Sequence, residues 1–385
     1  MNTTGRPTGR FLRAMSGYRS FIPDPLPPKL VWTPELIRSL SDADRRIGQL
    51  AGEGARLPNP HLLMRPFLRR EAVLSSRIEG TLATLGELLA SEAGAAVDRS
   101  PDDLREVANY VAALEFGLRR LSSLPLSLRL VRELHARLLK GVRGGHATPG
   151  EFRRTQNWIG PPGCTLVNAT YVPPSPVAML ECLGQWERFL HEKTLPPLVH
   201  LALMHYQFEA IHPFLDSNGR VGRLLVTLLL VARKVLPTPL LYLSAFFEAT
   251  RSDYYRYLRN VSQRGAWEEW LQYFLNGVAR QSEDALSRAE RINKLLSEWR
   301  VRAGAGRSRI RLALLDLLAT NPFLTVKKCA QRLNVAYTTA QRAVQALERM
   351  GIVRQVSPGR RDRVYCARAI LDILEEPPQI TAKAE

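Results

Sequence analysis

The stretch Ile211–Arg223, "IHPFLDSNGRVGR", decides how this chain is read. An apolar segment, "PLVHLALMHYQFEA" (197–210), leads into it, and another, "LLVTLLLVARKVL" (224–236), follows. Pro213 ends the first helix. The second begins near Ser217–Gly219, where the first backbone N–H groups lack intrahelical partners and carry the positive end of the helix dipole. Such a helix start is an anion site, and Asn218 with Gly219 lets the backbone curl into a concave nest of N–H groups. Arg220 and Arg223 are three apart, so both reach from the first turn towards one region. Two guanidinium groups beside a nest suit phosphate oxygens. Asp216 stands where a carboxylate could hold Mg²⁺ against those phosphates. His212 ends the preceding helix, where a neutral imidazole can take a proton from a hydroxyl. His212 and Asp216 alone are too few ligands for a protein-built metal site. The expectation is therefore a nucleoside triphosphate and its metal, beside a base that activates a hydroxyl.

Outward from this turn the chain reads as mainly α. Residues 1–32 form a basic arm whose "FIPDPLPPKL" favours an extended path. A helical region is expected over 33–140. It opens with a Thr33 cap before Pro34, continues through a helix at about 64–80 ending at Gly80, and has a third helix capped by Ser100. Residues 141–300 are expected to form a core. Within it, "GGHATPGEFRRTQNWIGPPGCTLVNATYVPPS" (144–175) is rich in Gly, Pro and Asn, with two β-prone pieces, and predicts a small hairpin flap on a helical body. "AGAGRSR" predicts a linker at 301–309.

The 385 residues exceed one ordinary core and suggest two or three domains. With 45% hydrophobic and 23% charged residues, the composition is that of a folded chain. No run of about 18 apolar residues is free of charge, so no membrane span or membrane partner is expected. The N-terminus lacks the apolar core of a secretory signal. Cys164, Cys182, Cys329 and Cys366 show neither metal nor disulfide spacing and suit a reducing cytoplasm.

Net charge is +18, unevenly spread. Residues 301–371 hold 14 Lys and Arg against three acids, leaving +11 there. In 310–375 a helix precedes a short helix (326–333), the turn "NVAY", a third helix and two strands around "SPGRRD", the outline of a winged helix-turn-helix. Thr338, Thr339, Gln341 and Arg342 lie on the polar face of the third helix, and Arg360 and Arg361 on the wing. They are the candidate nucleic-acid contacts. Residues 376–385 read as a tail.

At this point a family resemblance is visible. "HPFLDSNGRVGR" resembles the signature of Fic proteins, HPFx(D/E)GNGRxxR, with Ser217 where glycine is usual. "YRSFIPDPLPP", "PGEFRRTQNWIG…ATYVPPSP", "HYQFEAIHPF", "SDYYRYL" and "WEEWLQYFLNGVA" resemble other parts of the family, so that the likeness spans roughly 20–300. It implies a helical Fic domain with a β-hairpin flap, and transfer of AMP from ATP, with Mg²⁺, to Ser, Thr or Tyr hydroxyls of target proteins. Carried over, His212 would be the base and Asp216 the metal ligand. Ser217, Asn218, Gly219, Arg220, Val221, Gly222 and Arg223 would cradle the phosphates, with Tyr254 near the nucleoside. The flap residues Asn168, Ala169, Thr170 and Tyr171 would pair with the target segment by strand addition. Ser217 costs on the order of 1 kcal/mol if its position needs positive φ, and is expected to retune ATP binding.

"SSRIEGT" (75–81) resembles the inhibitory helix of Fic proteins, (S/T)xxxE(G/N). The resemblance makes Ser75 and Glu79 a brake in cis. Glu79 would pair with Arg223 and put negative charge where a nucleotide phosphate must lie. The resemblance also admits a homodimer. Two other functions stay open on the sequence: a DNA-binding regulator whose Fic domain senses nucleotide, and a de-AMPylase in which Glu79 positions water.

Overall fold

A computed structural model describes residues 6–56, 60–142, 148–304, 308–357 and 362–378. In chain order its elements are β1 (Gly9–Arg13), β2 (Arg19–Pro23), α1 (Pro34–Arg56), α2 (Pro60–Ile78), α3 (Leu85–Glu92), α4 (Pro101–Arg120) and α5 (Leu128–Leu138). Then come α6 (Pro176–Leu190), α7 (Pro197–Ile211), α8 (Asn218–Ala232), α9 (Ser244–Ala249), α10 (Arg251–Arg264) and α11 (Trp267–Gly304). The C-terminal part adds α12 (Arg309–Thr320), β3 (Phe323–Thr325), α13 (Val326–Leu333), α14 (Tyr337–Arg349), β4 (Arg354–Gln355), β5 (Val364–Cys366) and α15 (Arg368–Glu375). The fold is mainly α, as expected. Among the described residues no helix is long and apolar enough to cross a membrane.

The chain forms two compact units. The first gathers the chain up to residue 48, residues 109–237 and residues 246–280. Its centre is α7, of whose 15 residues 13 are buried. A helix apolar all round belongs inside a core, and α8 packs along it. Gly222 of α8 faces α7, where a Cβ would stand 2.3 Å from Glu209 Oε1 and displace that carboxylate. Trp186 of α6 and Trp270 of α11 donate their indole N–H groups to the carbonyls of Met204 and Ala202 on α7, each at 3.0 Å. Buried indoles need such partners, so these bonds also fix how the flanking helices seat on α7.

The N-terminal arm is a paired hairpin in its described part. β1 and β2 run antiparallel from Gly9↔Pro23 to Arg13↔Arg19. Phe21 is fully buried, and its N–H donates to Val172 O at 2.8 Å. The proline-rich composition signals extended backbone but not which strand closes it. That pairing is decided by the burial of Phe21. The two β-prone pieces of the flap meet through one antiparallel bridge, Ile159↔Tyr171.

The second unit comprises residues 49–108, 238–245 and the chain from 281 onward. α12, α13 and α14 with the sheet β3-β5-β4 make a winged helix-turn-helix. Thr325 caps α13, accepting from Lys328 N–H, and Asn334 in the left-handed region turns the chain towards α14. β3 and α15 were not foreseen, because a three-residue strand carries too little pattern. α2 lies against α12 and α15. Near that packing Arg288, 2% exposed, pairs with Asp284 at 2.8 Å and donates to the carbonyls of Ile373 and Glu376. α11 runs on to Gly304 and α12 starts at Arg309, so residues 301–304 of the expected linker are helical. Arg360 and Arg361 lie outside the described residues. Thr338 and Arg342 are exposed on α14, while Thr339 and Gln341 are half-buried.

Candidate active site

The turn between α7 and α8 joins the two most enclosed helices of the first unit, which makes it a rigid platform. His212 ends α7 in the left-handed region, φ 50° and ψ 61°. For a non-glycine residue this costs about 1–2 kcal/mol, so something must hold it. Arg153 does much of that. Its Nε donates to His212 O at 3.0 Å, and its own amide to Pro213 O at 3.0 Å. Its remaining nitrogens donate to Thr155 O at 3.3 Å and Pro174 O at 2.5 Å. Burial lowers this guanidinium to about 10, so it stays charged at neutral pH. Asn157 donates to Phe214 O at 2.8 Å, and Asn218 closes a two-way bond with the Phe214 backbone, both arms 2.8 Å.

The His212 ring is half-buried, with Nδ1 3.4 Å from Glu209 O. A carbonyl facing Nδ1 favours the proton there, which leaves the Nε2 lone pair as the acceptor. This is the arrangement a general base needs.

His135 supports the other side of the turn. Its Nδ1 accepts from Gly150 N–H at 2.9 Å, so Nε2 carries the proton and donates to Asp216 O at 3.2 Å. The ring stacks on Phe214 with centroids 3.8 Å apart. Burial pushes its pKa down to about 4, so it is a neutral strut.

Ser217 is left-handed too, with φ 64°. The position therefore has the backbone that favours glycine. The serine hydroxyl is used: it accepts from Arg220 Nη2 at 2.7 Å. The first intrahelical bond of α8 runs from Val221 N–H to Ser217 O at 3.0 Å. The amides of Asn218, Gly219 and Arg220 precede it, at the positive end of the dipole. Arg220 and Arg223 are 5% and 2% exposed, beneath a rim where Gly219 is half-buried and Asp216 exposed.

The Asp216 side chain is 49% exposed, and its Oδ1 accepts the Ser217 amide at 2.5 Å. Among the described residues no cluster of three or more His, Cys, Asp or Glu could hold a metal ion. One exposed carboxylate beside an anion-binding helix start does fit Mg²⁺ in its usual manner, held by one or two carboxylates plus substrate phosphates.

The turn therefore brings together His212, Asp216, Ser217, Asn218, Gly219, Arg220, Val221, Gly222 and Arg223. Tyr254 is placed differently. It is 1% exposed, its hydroxyl bonds to His205 Nε2 at 2.8 Å, and its ring packs 4.6 Å from Phe247. Helical spacing could not say which tyrosine of "SDYY" faces inward, and Tyr255 is the exposed one, at 39%. The flap residues divide. Tyr171 is an anchor, its hydroxyl donating to Ala210 O at 2.6 Å. Asn168 and Thr170 are exposed and Ala169 half-buried. Ser75 lies buried in α2, and Glu79 follows the helix end in a turn completed by Gly80 at φ 100°. Sequence reasoning missed Arg153, Asn157 and His135 as supports, since nothing local marks a side chain that works through a distant carbonyl.

Comparison with known proteins identifies three domains along the chain. Residues 37–119 match the Fic/DOC family N-terminal domain, 125–230 the Fic/DOC family domain, and 307–354 a winged helix-turn-helix DNA-binding domain. The chain is 32% identical over 195 residues to the protein adenylyltransferase Fic of Drosophila melanogaster and to that of Drosophila simulans. The match covers 48% of this chain and 36% of each relative, so the chain spans about a third of their length. In fold it resembles a Fic family protein from Desulfovibrio desulfuricans, with a TM-score of 0.60 and 21% identity over 89% of this chain and 98% of that one. With both Fic domains matched in order and a winged helix-turn-helix behind them, the chain belongs to the Fic/DOC family.

Proposed function

We propose that the protein is an autoinhibited protein adenylyltransferase. The observation that carries this reading is the braced α7–α8 turn, where a base-competent His212, the Asp216 carboxylate and the arginine-bearing start of α8 lie within twelve residues. His212 Nε2 removes the proton from a Ser, Thr or Tyr hydroxyl of a target protein, or of the protein itself. The hydroxyl oxygen forms a bond to the α-phosphorus of ATP as the bond from that phosphorus to the bridging oxygen breaks, and pyrophosphate leaves. Arg220, Arg223 and the first amides of α8 offset the charge that develops on the phosphates. Asp216 would hold Mg²⁺, which would supply positive charge against the leaving pyrophosphate. Positioning supplies much of the rate, as in other phosphate-transfer sites. The exposed tip of the flap, Asn168 to Thr170, offers backbone for a target strand to pair with.

Ser75 and Glu79 form the brake in this reading. The support is the spacing of "SSRIEGT" and the helix end at Ile78, which leaves Glu79 and Gly80 in the following turn. A carboxylate competing for Arg223 would exclude the nucleotide phosphate from it. The winged helix adds a nucleic-acid contact through α14.

Incubation with α-labelled and γ-labelled ATP tests the reading. Protein labelling from α-labelled ATP alone is expected, strong in Glu79→Gly and absent when His212→Ala is added. Equal incorporation by wild type and Glu79→Gly removes the brake. Label from the γ position removes adenylyl transfer.

A further inference from the structure

Away from the α7–α8 turn, two pairs of cations share one cavity. Arg65 and Arg69 are one turn apart on α2, and Lys328 and Arg332 are one turn apart on α13. All four line an open cavity of about 60 Å³ in the second unit. Like charges at i,i+4 repel, so each helix tolerates a pair that gains from an anionic partner. Glu92 is the acid in the same wall. It takes Arg69 Nε with both oxygens, at 2.9 and 3.1 Å, while its backbone carbonyl accepts from Lys328 Nζ. One carboxylate against four cations leaves three positive charges over.

The wall is built in advance. The Arg69 side chain is only 11% exposed and is oriented by Glu92. Asn321 Nδ2 donates to Leu89 O at 2.9 Å, and Thr325 Oγ1 to Ala93 O at 3.1 Å. These bonds tie the loop after α12 and the cap of α13 to α3, so the cations face each other across fixed backbone. Preorganised donors lose little freedom on binding, and forked guanidinium groups match phosphate oxygens.

We infer that this cavity binds a small polyanion of the phosphorylated class, separately from the nucleotide turn. Its occupancy also bears on α2, because Arg65 and Arg69 belong to the helix that carries Ser75 and ends beside Glu79. Arg69 and Glu79 are ten residues apart, about 15 Å along a helix axis. The binding claim does not depend on adenylyl transfer, and its test uses no activity.

The probe is inorganic pyrophosphate, titrated calorimetrically into the full chain at low salt. The variant combines Arg65→Glu with Arg332→Glu, both exposed positions, and its melting temperature checks that it folds. Wild type is expected to bind, and the variant to lose affinity by about tenfold or more, the equivalent of one charge-assisted contact. The Lys versions at both positions should keep most of the affinity. Amide exchange across α2 is expected to slow with pyrophosphate in wild type and to stay unchanged in the Glu variant. Equal affinity in both proteins, or no binding by wild type, overturns the site. Displacement of pyrophosphate by a short DNA duplex would also overturn it, assigning the cations to nucleic acid. Binding without slowed exchange in α2 overturns the link to the brake helix.

Discussion

The hydroxyl of Ser217, a residue whose φ is 64°, accepts a hydrogen bond from Nη2 of Arg220 at 2.7 Å. Two effects oppose each other there. The left-handed backbone costs a non-glycine residue about 1–2 kcal/mol, while a buried bond to a charged group contributes about 1.5–3 kcal/mol. Ser217→Gly removes both and is expected to change unfolding free energy by only about 1 kcal/mol. Ser217→Ala keeps the backbone cost and loses the bond, so it should be the less stable of the two. Urea unfolding of the three proteins checks this order, and an alanine variant as stable as wild type would show that the bond contributes nothing.

Arg153 holds the α7–α8 turn through the backbone carbonyls of His212 and Pro213. Its replacement by Lys keeps the charge but cannot satisfy His212 O, Thr155 O and Pro174 O together. Loss of position at His212 is expected to lower kcat by about 100-fold, with the KM for ATP little changed. The measurement is labelled AMP incorporation in the Glu79→Gly background. A raised KM at full kcat would mean that Arg153 serves nucleotide binding instead.

The contrast between Ser217 and Arg153 shows what could be read in advance. The helix pair α7–α8, the Thr33 cap and the turn between the two helices all rest on neighbours in sequence, where spacing and residue type decide the outcome. Even the positive φ at Ser217 was foreseeable from the residue usual there. Arg153, Asn157 and His135 act on carbonyls 55 to 81 residues away, and only the folded chain brings them together. The hairpin β1–β2 is similar, because Phe21 finds its partner at Val172. Tyr254 shows a subtler limit. Its helix was legible, but the choice of inward face depended on His205 and Phe247.

Three buried histidines set the response to acid. Burial pushes His135 and His200 from 6.5 to about 4, and burial with the nearby charge of Arg223 pushes His205 to about 3. Their folded pKa values lie below the unfolded value, so the unfolded chain takes up protons first as pH falls. The stability they contribute is complete above pH 6.5 and is lost on the way down towards 4. Each accounts for at most roughly 3 kcal/mol over that window. Carboxylates change little between pH 6.5 and 5.5, so the loss there belongs to histidine. Denaturation midpoints should fall from pH 7 to 5.5 and fall further by 4.5. His135→Gln, which can still accept from Gly150 and donate to Asp216, should flatten that slope. A midpoint that holds to pH 4.5 would contradict the assignment of neutral, buried rings.

The exposed face of α14 carries Thr338 and Arg342, one helical turn apart. On a recognition helix, an arginine that touches phosphate weakens binding uniformly when removed, and one that reads a base edge relaxes sequence preference. Arg342→Ala is expected to weaken binding of duplex DNA. If the contact is to phosphate, the slope of log affinity against log salt should fall by about 1. Fluorescence anisotropy at several salt concentrations, with two unrelated duplexes, separates the cases. A lower slope with equal loss on both duplexes marks a phosphate contact, and loss on one duplex marks a base contact. Affinity and slope identical to wild type would remove α14 from the interface and turn the winged helix towards a protein partner.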